Sequence, residues 1–302
     1  MSKTVFPPAL RPGDKIAIVS PAGKIDEKIV HEAADILRRK GFRVEIMPHA
    51  LGEYGSFSGT ADERYADMRA ALLDPSVRAI LCSRGGYGVV HILDRLDKLP
   101  IENDPKWIIG FSDISALHAL MAKKGIASVH SSMAKALKEG FENEDNAALL
   151  DILSGGRPAH VFENHPLDRP GVTSGKLLGG NLAVIAELID TPFDIIQPDT
   201  ILFIEDIAEP IYKIERILYQ LRLSGVLGKI KGLIVGQFTD YKSTDDWDDM
   251  YSMISAAVAD YDFPVAFNVP IGHVDHNIPV IESATVTLKV NPEGRNSIIF
   301  HR

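Results

Sequence analysis

Cysteine is almost absent from this chain of 302 residues: Cys82 stands alone, which excludes an internal disulfide and any zinc site built on thiolates. A lone cysteine fits a reducing compartment. Long hydrophobic runs are missing too, and no stretch approaches the roughly 18 apolar residues that a membrane helix needs. The opening Met1-Ser2-Lys3-Thr4-Val5-Phe6-Pro7-Pro8 lacks the apolar segment of a signal peptide, and its two prolines would break one. A cytoplasmic protein with no membrane partner is expected. Positive charge is scarce, with 32 Lys and Arg against 41 Asp and Glu and a net charge of −9. That argues against a nucleic-acid partner, which usually demands a basic stripe. Apolar residues are plentiful, at 45% against 24% charged, an ordinary globular balance. The length suits one large domain or two ordinary ones.

The first half alternates strand and helix. Lys15–Ser20 is a short apolar run closed by Pro21-Ala22-Gly23, which predicts a buried strand and a turn. Apolar residues at Ile29, Ala33, Ile36 and Leu37 have helical spacing, and Gly41 ends that helix. Thr60-Ala61-Asp62-Glu63 has the form of a capping box. Further strands are expected at 42–47, 78–83, 107–111 and 127–130. Strands separated by helices imply a parallel sheet covered on both faces, whose ligands sit at the carboxyl ends of the strands. Gly155, Gly156, Pro158, Pro166 and Pro170 mark a linker over 156–171, so the expected domains are 1–155 and 172–302. The second domain reads as α+β: a Gly-rich stretch at 174–181, a helix at 182–189, a strand at 200–204, an amphipathic helix at 211–223 and a strand at 230–238. A helix at 247–259, a strand at 265–269 and a hairpin over 284–290 and 297–301 complete it.

Chemistry concentrates where strands end. In Trp107-Ile108-Ile109-Gly110-Phe111-Ser112-Asp113-Ile114 an apolar strand runs directly into a helix, with a serine at the junction. That is the layout of a nucleophile elbow, although Ile114 stands where its last glycine would be. A plain helix N-cap is the competing reading of Ser112. Ser83-Arg84-Gly85-Gly86-Tyr87-Gly88 ends another strand, and its glycines permit a sharp bend close to a ligand. It lacks the Lys-Ser/Thr of a phosphate loop, which leaves an oxyanion hole or a tight turn. A serine needs a base, and His273 lies in the turn Pro270-Ile271-Gly272-His273-Val274-Asp275-His276-Asn277. His273, Asp275 and His276 also permit a metal-binding reading. An acid must hold the base, and Glu205, Asp206 and Glu209 all follow an apolar strand. The residues alone leave the three acids undivided.

Taken together, these segments resemble the LD-carboxypeptidase family of serine peptidases, which also contains microcin immunity proteins. The resemblance runs through Leu10-Arg11-Pro12-Gly13-Asp14, Val19-Ser20-Pro21-Ala22-Gly23, Ser83–Gly88, Gly110-Phe111-Ser112-Asp113, Gly175-Lys176-Leu177-Leu178-Gly179-Gly180-Asn181-Leu182, Phe203-Ile204-Glu205-Asp206 and Gly272-His273. It implies a doubly wound parallel sheet of the class I glutamine amidotransferase-like kind, followed by a C-terminal α+β domain. It implies a triad of Ser112, His273 and Glu205, an oxyanion hole from the amides of Gly86 and Asp113, no cofactor and no metal. Arg84, with Gly85, is a candidate to read the substrate carboxylate. The implied substrate is a murein tetrapeptide losing its terminal D-Ala, the implied assembly a homodimer. A microcin-type substrate, an acyl-adenylate or acyl-sulfamoyl compound, is the alternative with the same triad. Ile281 stands where such proteins tend to carry a glycine after the proline at 279, so the loop beyond the base differs. Two other classes compete: an amidotransferase-like module with Cys82 as nucleophile, and a binding module without catalysis.

Overall fold

A computed structural model describes residues 4–301, so the first three residues of the opening stretch lie outside the described part. The chain forms two compact units, the first running to Gly156 and taking back Ile278–Glu282, the second comprising Arg157–Asn277 and the chain from Ser283 onward. Among the described residues no helix is long and apolar enough to cross a membrane.

The first unit is built on β1 (Lys15–Val19), β2 (Arg43–Ile46), β3 (Val77–Cys82), β4 (Trp107–Gly110) and β5 (Ser128–His130). These strands are parallel, in the order 2-1-3-4-5, with β11 (Val280–Glu282) added antiparallel beside β5. The helices are α1 (Glu27–Arg39), α2 (Ala61–Leu73), α3 (Val90–Leu96), α4 (Ser115–Lys123), α5 (Ala134–Leu137) and α6 (Glu144–Leu153). α1 packs with α5, while α2 packs with α3 and α3 with α4, as expected of a doubly wound sheet. Ile16, Ile18, Ile80 and Ile108 are almost fully buried, each contributing about 1.5–3 kcal/mol. The capping box forms as expected: Glu63 N donates to Thr60 Oγ1 (3.2 Å), and Thr60 N donates to Glu63 Oε2 (2.8 Å).

The second unit carries a mixed sheet in the order β10-β9-β8-β7-β12-β13-β6. Its strands are β6 (Ala159–Phe162), β7 (Gly171–Asn181), β8 (Thr200–Ile207), β9 (Gly232–Thr239), β10 (Val265–Ala266), β12 (Thr285–Val290) and β13 (Asn296–Phe300). The helices are α7 (Leu182–Leu188), α8 (Ile211–Leu223) and α9 (Met250–Ala257). Two stretches gain detail beyond their sequence reading. The supposed linker contains β6, which pairs with β13 at the sheet edge, where flanking prolines need not donate to a ladder. The Gly-rich stretch is strand β7. A Cβ on Gly175 would fall 2.2 Å from the Asp199 carbonyl oxygen, and one on Gly179 1.9 Å from that of Phe203. Those glycines serve close approach of the neighbouring backbone.

Candidate active site

In the first unit, β4 ends at Gly110 and Phe111 is extended, with φ −151°. Ser112 then takes φ 66°, a left-handed conformation that costs a non-glycine residue of order 1–3 kcal/mol. It opens a single 3₁₀ turn, Ser112–Ile114, that runs into α4. Neither the turn nor α4 receives a side-chain cap, so the hydroxyl of Ser112 does not serve as an N-cap. The Gly-rich loop lies directly against it. A Cβ on Gly85 would sit 2.7 Å from Ser112 Cβ, 2.9 Å from its Oγ and 3.3 Å from Asp113 N. Gly86 has φ 110°, and a Cβ there would meet Gly23 at 3.3 Å. Gly23 N donates to the Gly85 carbonyl (3.0 Å), tying the turn after β1 to the loop after β3.

Asp113 is buried, and its Oδ2 accepts from Val89 N (2.9 Å), which links the elbow to the start of α3. Behind the elbow, His118 on α4 is wholly buried between two partners. Its Nε2 meets the Gly110 carbonyl (2.8 Å) and its Nδ1 the Ser128 hydroxyl (2.8 Å). A carbonyl only accepts, so Nε2 carries the proton and Nδ1 accepts from Ser128. Burial lowers the His118 pKa to about 4, so the ring stays neutral. Arg84 is exposed, and its Nη1 donates to the Lys24 carbonyl (2.9 Å). Cys82 is buried, and burial first, then the charge of Asp113, pushes its thiol up. A sulfur held as thiol and away from solvent makes a poor nucleophile.

In the second unit, Glu205 is wholly buried near the end of β8. The register against β9 shifts between Ile204 and Asp206, and such a bulge re-aims the side chain at its position. Glu205 Oε2 meets His273 Nδ1 at 2.7 Å, with the imidazole about one-sixth exposed (17%). Burial pushes the Glu205 carboxyl up, opposed by the hydrogen bond and charge of His273. The pair is tightly packed, since a Cβ on Gly272 would lie 2.9 Å from both Glu205 Cβ and its Oε2. The other two acids have separate tasks. Asp206 accepts from Asn181 Nδ2 (2.9 Å) and from Ala183 N (2.9 Å) at the start of α7. Glu209 pairs with Lys213 (2.8 Å) on α8. Among the described residues, His273, Asp275 and His276 do not form a group able to hold a metal.

The first unit thus holds a left-handed serine beside a Gly-rich loop, and the second a buried carboxylate–imidazole pair. Residues 16–131 match the LD-carboxypeptidase N-terminal domain and residues 174–288 the LD-carboxypeptidase C-terminal domain. The chain belongs to the LD-carboxypeptidase family. It is therefore an enzyme of the carboxypeptidase class. The murein tetrapeptide carboxypeptidase of Pseudomonas aeruginosa is 28% identical over 273 residues, covering 87% of this chain and 89% of that protein. The crystal structure of muramoyltetrapeptide carboxypeptidase from Oxalobacter formigenes matches with a TM-score of 0.85 at 26% identity, over 95% of this chain and 99% of that one. The microcin C7 self-immunity protein MccF, solved with aspartyl sulfamoyl adenosine, has a TM-score of 0.86 at 20% identity over 99% of each chain, a likeness of fold.

Several supporting residues of this LD-carboxypeptidase were not singled out by the sequence. Asn277 is buried, and its Oδ1 accepts from Gly272 N (2.9 Å), which fixes the turn carrying His273. Asn181 orients Asp206 one position beyond Glu205, and Gly23 braces the Gly85–Gly86 backbone. Gly23, Asn181 and Gly272 all lie inside the quoted motifs, which was the available signal. Asn277 had none.

Proposed function

We propose that this carboxypeptidase hydrolyses the L,D-peptide bond that releases terminal D-Ala from murein tetrapeptides, through a triad of Ser112, His273 and Glu205 and an acyl-enzyme. The observation that carries this reading is the 2.7 Å bond between a wholly buried Glu205 and His273 Nδ1. It fixes the ring and leaves Nε2 for the serine proton. His273 takes the Ser112 proton as the hydroxyl attacks the carbonyl of the penultimate residue. The amides of Gly86 and Asp113 hold the oxyanion, a contribution of about 3–4 kcal/mol per donor where such donors have been removed. The imidazolium then protonates the departing D-Ala nitrogen. Water, deprotonated by the same ring, attacks the ester and restores Ser112. Glu205 stays ionised throughout and stabilises the charged imidazole. Arg84 and Gly85 are assigned to the substrate carboxylate, for which the guanidinium has donors beyond the Nη1 bond to the Lys24 carbonyl. Action in the cytoplasm on recycled muropeptides, as a homodimer, completes the proposal.

The test is product analysis by mass spectrometry on a panel of tri-, tetra- and pentapeptide muropeptides together with aspartyl sulfamoyl adenosine. Release of D-Ala from tetrapeptide alone is expected. Cleavage of the sulfamoyl compound without tetrapeptide turnover would replace this reading by the microcin-type one.

A further inference from the structure

Behind the elbow, the first unit holds three ligand-type side chains that the proposed hydrolysis does not use. His118, His130 and Glu282 are each 0% exposed, and one donor atom from each lies within 4.8 Å of the others. The fold gathers them for a simple reason. Ser128 and His130 are two apart on β5 and so share a face of the sheet. Glu282 on β11 stands opposite Ser128 in the antiparallel pair, which puts it on that same face. His118 comes from α4 and meets Ser128 at 2.8 Å.

We propose that His118, His130 and Glu282 form a buried site for one divalent first-row transition ion, with zinc the best fit. Two imidazole nitrogens and a carboxylate are donors that zinc accepts, and a hard oxygen-seeking ion such as magnesium would not favour them. His118 is already arranged as a ligand. Its Nε2 proton is committed to the Gly110 carbonyl, which directs the lone pair of Nδ1 toward Ser128 and the cluster, the outer bond typical of metal-bound histidine. With the ion bound, the Ser128 hydroxyl, which otherwise donates to Nδ1, turns its proton away and offers its oxygen as a fourth donor. Complete burial leaves no open position for substrate, so the ion is structural: it pins α4, β5 and β11 behind Gly110. The proposal is independent of the role given to Ser112.

The decisive experiment uses untagged protein from zinc-supplemented cultures, desalted and assayed for metal by mass spectrometry. About one zinc per chain is expected, falling at least tenfold in both His130→Gln and Glu282→Gln. Anomalous scattering at the zinc edge from wild-type crystals needs no variant and should give one peak between the three side chains. Less than about 0.1 zinc per chain in wild type, equal retention in both folded variants, or a peak elsewhere would each overturn the site.

Discussion

At the end of β4, Ser112 is held by backbone; near the end of β8, Glu205 is held by burial and by its partner. Ser112 sits in a left-handed conformation, and its side chain lies so close to Gly85 that a Cβ there would clash with it. Glu205 depends instead on a 2.7 Å bond to His273 and on a turn stapled by Asn277. The first arrangement is a matter of sterics, so it survives changes in charge and pH. The second is electrostatic, so it responds to both. Variants that separate activity from stability should therefore behave differently in the two units.

The largest effect is expected at the steric end. Ser112→Ala should lower kcat by about 10⁴-fold or more while stability in urea stays within about 1 kcal/mol of wild type, and Ser112→Gly should lose activity equally while gaining about 1–3 kcal/mol. A hydroxyl needed only for local structure would give the opposite pattern. Next comes the electrostatic end. Glu205→Gln should cost about 10³–10⁴-fold in kcat, because an amide can present its N–H to Nδ1 and reverse the imidazole tautomer. KM should change little, which steady-state kinetics on a tetrapeptide will show.

A pH experiment sharpens the contrast within the first unit. In protein stripped of metal, His118 titrates near 4 when folded, against an ordinary value near 6.5, so the unfolded chain binds its proton first as pH falls. Its contribution to stability is complete above about pH 6.5 and is lost progressively toward pH 4, on the order of 3 kcal/mol in all. Denaturation midpoints of His118→Phe should show a shallower pH dependence across that window than wild type. Gly85→Ala should destabilise by about 1–3 kcal/mol, because its methyl would fall 2.7 Å from Ser112 Cβ. The smallest effect is expected at the third acid: Glu209→Gln should stay within about 0.5 kcal/mol and retain full turnover, since its ion pair with Lys213 lies at the surface.

The same contrast explains what could be read without coordinates. The elbow was legible because a buried strand running into a helix is a local pattern, and the serine at the junction needs no distant partner to be noticed. The parallel sheet of the first unit was legible for the same reason. The acids were not separable, because Glu205, Asp206 and Glu209 are sorted by partners far along the chain: His273, Asn181 and Ala183, and only in the last case a near neighbour, Lys213. Strand β7 showed only as a Gly-rich stretch, because the bare Cα atoms that admit the neighbouring backbone carry no strand pattern of their own. The antiparallel strand β11 is three residues long and joins a sheet begun far earlier, so no local period announces it. The buried group at His118, His130 and Glu282 follows from that strand and was equally hidden.

Whether the imidazole of residue 273 activates the hydroxyl of residue 112 can be put to a direct chemical trial. Wild-type protein is treated with a fluorophosphonate, and the labelled site is read by intact-mass and peptide mass spectrometry. One adduct, on Ser112, is expected, with labelling at least about 10³-fold slower in His273→Ala. Labelling of Ser112 at an unchanged rate in that variant, or an adduct on another serine, would contradict the triad.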